Sequence, residues 1–285
     1  MAMAGPSTSF ERHGHATPAS PVILSAPHAG RDYPLALRAA LRVPVQALTP
    51  LEDRHADALA LAALGGEILF VQRRARAWID LNRSESERDP KLDDGARANA
   101  QPIESAKIRS GLGLVPRRVA AAGDIWRRRL SAEEVEARIA NDHRPDHEAV
   151  EAALCAARAR CGVSVLLDLH SMPPLGEDGA RIVLGDRFGR SAASRFVARL
   201  EGVARAYDVS CAVNTPYAGG HILDRHGDPE SGVHAIQIEF DRSLYLDSRL
   251  DSPGAGLAET ASLLRALIDS LADEAISGGI ALAAE

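Results

Sequence analysis

Two histidines stand at the ends of apolar runs, where chemistry is expected to gather. The first closes Val22-Ile23-Leu24-Ser25-Ala26-Pro27-His28, and the second closes Val163-Ser164-Val165-Leu166-Leu167-Asp168-Leu169-His170. Each run reads as a buried β-strand that turns at an imidazole. In an open α/β sheet, ligands bind at the carboxyl ends of the strands. Two imidazoles delivered there form a candidate metal site, although a satisfied core histidine is the plainer reading of either one alone. Asp168 and His170 lie two residues apart and share a strand face, the arrangement in which a carboxylate orients an imidazole. Pro27 and Gly30 flank His28 and imply a fixed turn where backbone comes close to another part of the chain.

Carboxylates complete the candidate chemistry. In His234-Ala235-Ile236-Gln237-Ile238-Glu239-Phe240, period-two alternation puts Gln237 and Glu239 on one face and the apolar residues on the other. A carboxylate in a central strand is costly unless it is paired, bound to metal or placed at the crevice. An edge strand with a solvated face is the competing reading. Glu52 and Asp53 precede a helical stretch, where either would cap the helix and complement its dipole. Either would also complete a His₂-carboxylate set, since catalytic zinc takes three protein ligands and keeps one position open. Arg83 suits bidentate carboxylate binding, with a surface salt bridge as the alternative.

The elements that must position these residues follow from periodicity. Strands are expected at about 20–26, 68–71, 77–81, 163–169, 180–185, 209–213 and 234–240. Helices are expected at about 52–64, from the Ser131–Glu134 capping box to about 160 with a break or kink at Pro145, up to about 207, and at 256–276. Alternating strands and helices predict an α/β fold, a largely parallel central sheet with helices on both faces. Residues 1–18, rich in small and polar types, are expected to be a flexible tail, with 19–285 as a single catalytic domain. Two polar stretches, 82–107 and the Gly-rich 214–233, are expected as loops.

Composition narrows the class. The 285 residues carry a net charge of −6, which argues against a nucleic-acid partner. Cys155, Cys161 and Cys211 form neither a disulfide framework nor a C-x-x-C pair. There is no membrane-length apolar run and no secretion signal, so the expected location is cytoplasmic. Phosphate-loop, dinucleotide, G-x-S-x-G and H-E-x-x-H motifs are absent.

In order and spacing, the segments Ser25–Gly30, Asp53–Leu59, Ile79–Arg83, Arg144–Ala149, Asp168–Ser171, Asn214–His221 and Gln237–Tyr245 resemble the N-formylglutamate amidohydrolase family. The resemblance runs from about residue 21 to 247. It implies a zinc-carboxypeptidase/phosphorylase-hydrolase-like architecture and a zinc-dependent hydrolase of small N-acyl amino acids, with another divalent ion as the alternative metal. By the same resemblance His28, Asp53 and His170 would hold the metal, with Glu52 the rival of Asp53, and Glu239 would act as the base. Asn82 and Arg83 would bind a substrate carboxylate, with Arg242 as a second clamp. His147 and His221 would donate to the developing oxyanion, and 84–125 would shape the substrate pocket.

Overall fold

In this computed structural model, the chain is described for residues 9–96 and 106–282, with side chains described through 277. Its centre is one seven-stranded sheet built from β1 (Phe10–His13), β2 (Val22–Ala26), β3 (Ile68–Gln72), β6 (Ser164–Met172), β7 (Ile182–Gly185), β8 (Cys211–Val213) and β9 (Val233–Asp241). The spatial order is β1-β3-β2-β6-β9-β7-β8. The four central strands, β3-β2-β6-β9, are mutually parallel, while β1 and β7 run antiparallel to their inner neighbours. The expected largely parallel, mixed α/β sheet is therefore present.

The central strands read as unbroken apolar runs because both their faces are covered. Leu24, Leu69, Val165, Leu167, Ile236 and Ile238 pack on one side against α2 (Ala56–Ala63), α6 (Ser194–Ala206) and α8 (Leu257–Leu282). Ile23, Ile68, Phe70, Leu166 and Ala235 point the other way, against α5 (Arg144–Cys161) and α7 (His221–His226). A third apolar cluster joins α1 (Leu35–Ala40) and α4 (Ala132–Arg138) to the connecting segments around Ile79, Leu114 and Ile125. Between them lie α3 (Ala106–Arg109) and the small hairpin of β4 (Arg118–Val119) and β5 (Gly123–Asp124). Arg138 crosses this third cluster with its guanidinium 3.9 Å from the Trp78 ring.

The chain leaves β2 through α2 to β3 on one side and then returns to β6 on the other. The carboxyl ends of β2 and β6 therefore flank the point where strand order reverses, where an open sheet leaves a crevice. Strand β9 is the next neighbour and is central rather than an edge.

Four sequence expectations change. Within the expected tail, Phe10–His13 pairs with β3 and Phe10 sits edge-on to Phe70; residues 1–8 lie outside the described residues. The expected strand at 77–81 is a pair of turns, because Trp78 N–H donates to Ala75 and the Asp80 carboxylate accepts Asn82 N–H, an Asx turn. Pro145 does not break the helix. A π-helical segment, Ile139–His143, runs without interruption into α5, whose second residue is Pro145. The expected loop 214–233 contains α7.

Gly30 shows why the turn after His28 needs glycine. A Cβ there would lie 2.1 Å from the Arg74 carbonyl oxygen and 2.6 Å from the Arg73 carbonyl carbon. Both are backbone atoms and cannot swing aside. Gly30→Ala is expected to cost about 1–3 kcal/mol through overpacking, lowering Tm by about 3–8 °C in thermal denaturation. An unchanged Tm would show that the turn tolerates a side chain.

Candidate active site

His28 follows β2, His170 lies within β6, and Asp53 sits three residues before α2. The Asp53 N–H donates to the His28 carbonyl at 2.9 Å, which ties the start of α2 to the end of β2. All three side chains are buried. His170 Nδ1 lies 2.8 Å from Asp53 Oδ2, and His28 Nδ1 lies 3.6 Å from the same oxygen. Each imidazole uses its other nitrogen on a second carboxylate: His28 Nε2–H donates to Asp80 at 2.7 Å, and His170 Nε2–H to Asp168 at 2.9 Å.

Those outer carboxylates set the tautomers and turn both Nδ1 atoms toward Asp53 Oδ2. Among the described residues, His28 Nδ1 is buried without a hydrogen-bond partner. Ligand atoms of His28, Asp53 and His170 lie within 4.8 Å of one another. Two imidazole nitrogens and one carboxylate oxygen, with the imidazoles oriented from behind, fit a divalent cation. Glu52 is committed elsewhere, accepting from Tyr33 Oη–H and from Arg54 Nη1 at 2.7 Å.

Glu239 is the direct register partner of His170 across the β6–β9 pair. Gln237 Nε2–H donates to its Oε1 at 2.8 Å, and Gln237 in turn accepts from Asn82 Nδ2 at 3.3 Å. Burial pushes the Glu239 carboxyl up to about 7; Asp53 adds to this and His170 opposes it. Burial works the same way on Asp53, but the hydrogen-bonded His170 and the neighbouring His28 outweigh it and hold Asp53 well below the usual carboxylate range. Burial would lower His170, yet Asp168 and Asp53 carry it well above the usual imidazole value. The centre thus stores negative charge around two imidazoles.

These groups open onto a cavity of about 330 Å³ whose lining also includes the cationic side chains Arg76, Arg83, Lys107 and Arg242, together with Tyr217. Arg76 donates through Nε to Asp80 at 2.9 Å. Arg83 is held by its Nε–H to the Leu112 carbonyl at 2.9 Å and by Nη1 to the Asn82 carbonyl. Arg242 reaches Ser171 Oγ at 3.0 Å and the Glu52 carbonyl at 2.6 Å, with Asp53 Oδ1 3.5 Å away. It braces Asp53 as well as facing the cavity. Asn82 also lines the cavity, but its carboxamide is occupied: Oδ1 accepts Ile222 N–H at 3.0 Å and Nδ2 serves Gln237. Lys107 and Leu112 are contributed by the 84–125 segment.

His147 and His221, expected to donate to the oxyanion, lie apart from this cavity. Neither is among the residues lining this cavity. His147 has both ring nitrogens engaged, with the Leu81 carbonyl at 3.1 Å and with His226 Nε2 at 3.0 Å. The two sit behind the Asp80–Arg83 turn in a separate cluster with His143. Sequence reasoning missed Asp80 and Arg76. Asp80 was hidden by the apolar residues on either side of it, and Arg76 sits in an arginine-rich stretch that carries no distinguishing signal.

A sequence model described as N-formylglutamate amidohydrolase matches residues 20–246. The chain is 29% identical over 267 residues to an N-formylglutamate deformylase of Pseudomonas aeruginosa, covering 91% of this chain and 94% of that protein. It is 32% identical over 235 residues to an N-formylglutamate deformylase of Pseudomonas putida, covering 80% and 82%. A crystal structure of an N-formylglutamate amidohydrolase from Ralstonia eutropha JMP134 superposes with a TM-score of 0.86 at 30% identity, covering 95% of this chain and all of that one. A gene product of Agrobacterium tumefaciens shares the fold at 19% identity and a TM-score of 0.67.

Proposed function

We infer the function from one premise: the chain belongs to the N-formylglutamate amidohydrolase family. It is a metal-dependent amidohydrolase that cleaves N-formyl-L-glutamate to formate and L-glutamate. The observation that carries this reading is the convergence of His28 Nδ1, His170 Nδ1 and Asp53 Oδ2 beside Glu239, in a cavity that cationic side chains also line.

His28, Asp53 and His170 would hold the metal, with zinc the natural occupant of an N/O ligand set that leaves a position open. When bound, the metal supplies Lewis acidity, lowering the pKa of water and polarising the formyl oxygen. Glu239 takes a proton from the attacking water, whose oxygen bonds to the formyl carbon. As the C–N bond breaks, Glu239 returns that proton to the departing amine. Gln237 keeps Glu239 aimed by donating to one carboxylate oxygen, which leaves the other free for water. Arg76, half-buried and cationic between Asp80 and the cavity, is the group placed to meet developing negative charge on oxygen. Arg83 and Lys107 bind the carboxylates of the substrate, a dianion that a −6 protein would otherwise repel.

Formate release from N-formyl-L-glutamate by purified protein, with metal content measured alongside, tests this reading. Turnover that disappears with a chelator and returns with zinc is the expected result. Metal without formate release, but with turnover of another N-acyl amino acid, would keep the chemistry and reject the substrate. Arg83→Met is expected to raise KM by about 10–100-fold with a smaller effect on kcat, since a charged hydrogen bond contributes about 1.5–3 kcal/mol. An unchanged KM would remove Arg83 from substrate binding.

A further inference from the structure

On the other side of the Asp80–Arg83 turn, a second set of histidines converges. His143 ends the π-helical segment and His147 lies four residues on in α5, the spacing that places two side chains on one helix face. His221 is the first residue of α7. The ring centroids are 4.5 Å apart for His143–His147, 5.5 Å for His147–His221 and 6.1 Å for His143–His221. One ring nitrogen from each lies within 4.8 Å of the others.

The hydrogen bonds decide which nitrogens are available. His143 Nε2 is 2.8 Å from the Arg83 carbonyl, and His147 Nε2 is 3.1 Å from the Leu81 carbonyl. A carbonyl can only accept, so both Nε2 atoms carry hydrogens and both Nδ1 atoms carry lone pairs. Metal-bound imidazoles are oriented in this way, the second nitrogen donating to a backbone carbonyl. His143 is fully buried, and among the described residues its Nδ1 has no hydrogen-bond partner; His221 Nε2 is likewise buried and unpartnered among them. A buried imidazole nitrogen left without a partner is costly. The nearest anionic oxygen is Glu85 Oε1, 3.9 Å from His143 Nδ1. Segments of π-helix recur at functional sites, and His143 closes one here.

We propose that His143, His147 and His221 form a second divalent-metal site, of the three-imidazole type that zinc favours. Ligand nitrogens about 2.0–2.1 Å from a tetrahedral zinc stand about 3.3 Å apart, so small ring rotations close the observed triangle. The fourth position faces Glu85 or water. His226, 3.0 Å from His147 Nδ1, gives up that contact on metal binding. The site clasps α5 and α7 to the turn whose Asp80 orients His28 and whose Asn82 accepts from Ile222. Its role is therefore structural support for the first centre, independent of which substrate is cleaved.

The test is zinc content after loading and gel filtration for four proteins: wild type, Asp53→Ala, His221→Gln, and the double variant. His143→Gln serves as an independent check on the His221 result. Two zinc per chain in wild type, one in each single variant and none in the double variant is the expected result. Cobalt loaded into Asp53→Ala is expected to give a visible absorption band that is lost when His221→Gln is added. One zinc in wild type that is lost with Asp53→Ala overturns the proposal and leaves the first centre standing. Two zinc retained in both His221→Gln and His143→Gln places the second ion elsewhere and also overturns it. One zinc in wild type that survives Asp53→Ala but not His221→Gln would uphold this site and reject the first.

Discussion

Glu239→Gln is expected to leave a folded protein with the wild-type metal content and almost no turnover. Positioned general acid–base catalysis contributes about 10²–10⁴-fold, and in the proposed reaction Glu239 would serve both proton transfers, so kcat is expected to fall by ~10³-fold or more. The substitution is conservative where it must be. The Gln carbonyl can still accept from Gln237 Nε2–H, now 2.8 Å from Glu239 Oε1, and a neutral side chain is easier to bury than a carboxylate whose pKa burial already raises to about 7. Tm is therefore expected to hold or rise. Steady-state kinetics and elemental analysis on the same preparation check this. Near-normal kcat would remove Glu239 from proton transfer, and metal lost together with activity would make it a ligand instead.

Asp53→Ala is expected to abolish turnover by a different route, emptying the first centre. It removes the oxygen that both His28 Nδ1 and His170 Nδ1 face, at 3.6 and 2.8 Å. It also leaves Arg242 without an anion that lies 3.5 Å away. Losing an outer partner of a metal ligand costs about 10–100-fold in affinity; losing one of three ligands costs more, so zinc affinity at this centre is expected to fall by well over ~100-fold. Asp80→Asn, which perturbs only the orientation of His28, should fall inside the smaller range. The two are separated by competition with a chelator of known affinity. A ligand stabilises the fold in proportion to the logarithm of its saturation, so zinc should raise Tm less in Asp53→Ala than in wild type. Zinc retained by Asp53→Ala at wild-type affinity would mean that Glu52 or another group is the true third ligand.

Much of the first centre was legible because its signals are local. An apolar run ending in Pro27-His28 needs only strand periodicity to place an imidazole at a sheet end. The Asp168–His170 pairing follows from the two-residue repeat, and the 2.9 Å contact between them is that repeat made visible. The Ser131–Glu134 cap lies within one helical turn and is present as expected. The close approach implied by Gly30 was also readable, but its partner, the backbone at Arg73 and Arg74, was not.

What the sequence determined by itself was the order of the central strands and the long helices that cover them, the residue types at their ends, and so the kind of chemistry available. Tertiary structure decided the partners. His28 is completed by Asp80, 52 residues away, and His170 by Asp53, 117 residues away; no periodic signal connects positions so far apart. It placed Asp53 against both imidazoles and gave Glu52 to Tyr33 and Arg54. It also moved His147 and His221 out of the cavity and into their own cluster. The physical reason is that periodicity encodes which way a side chain faces within its own element, while the packing of whole elements sets which other side chains it meets.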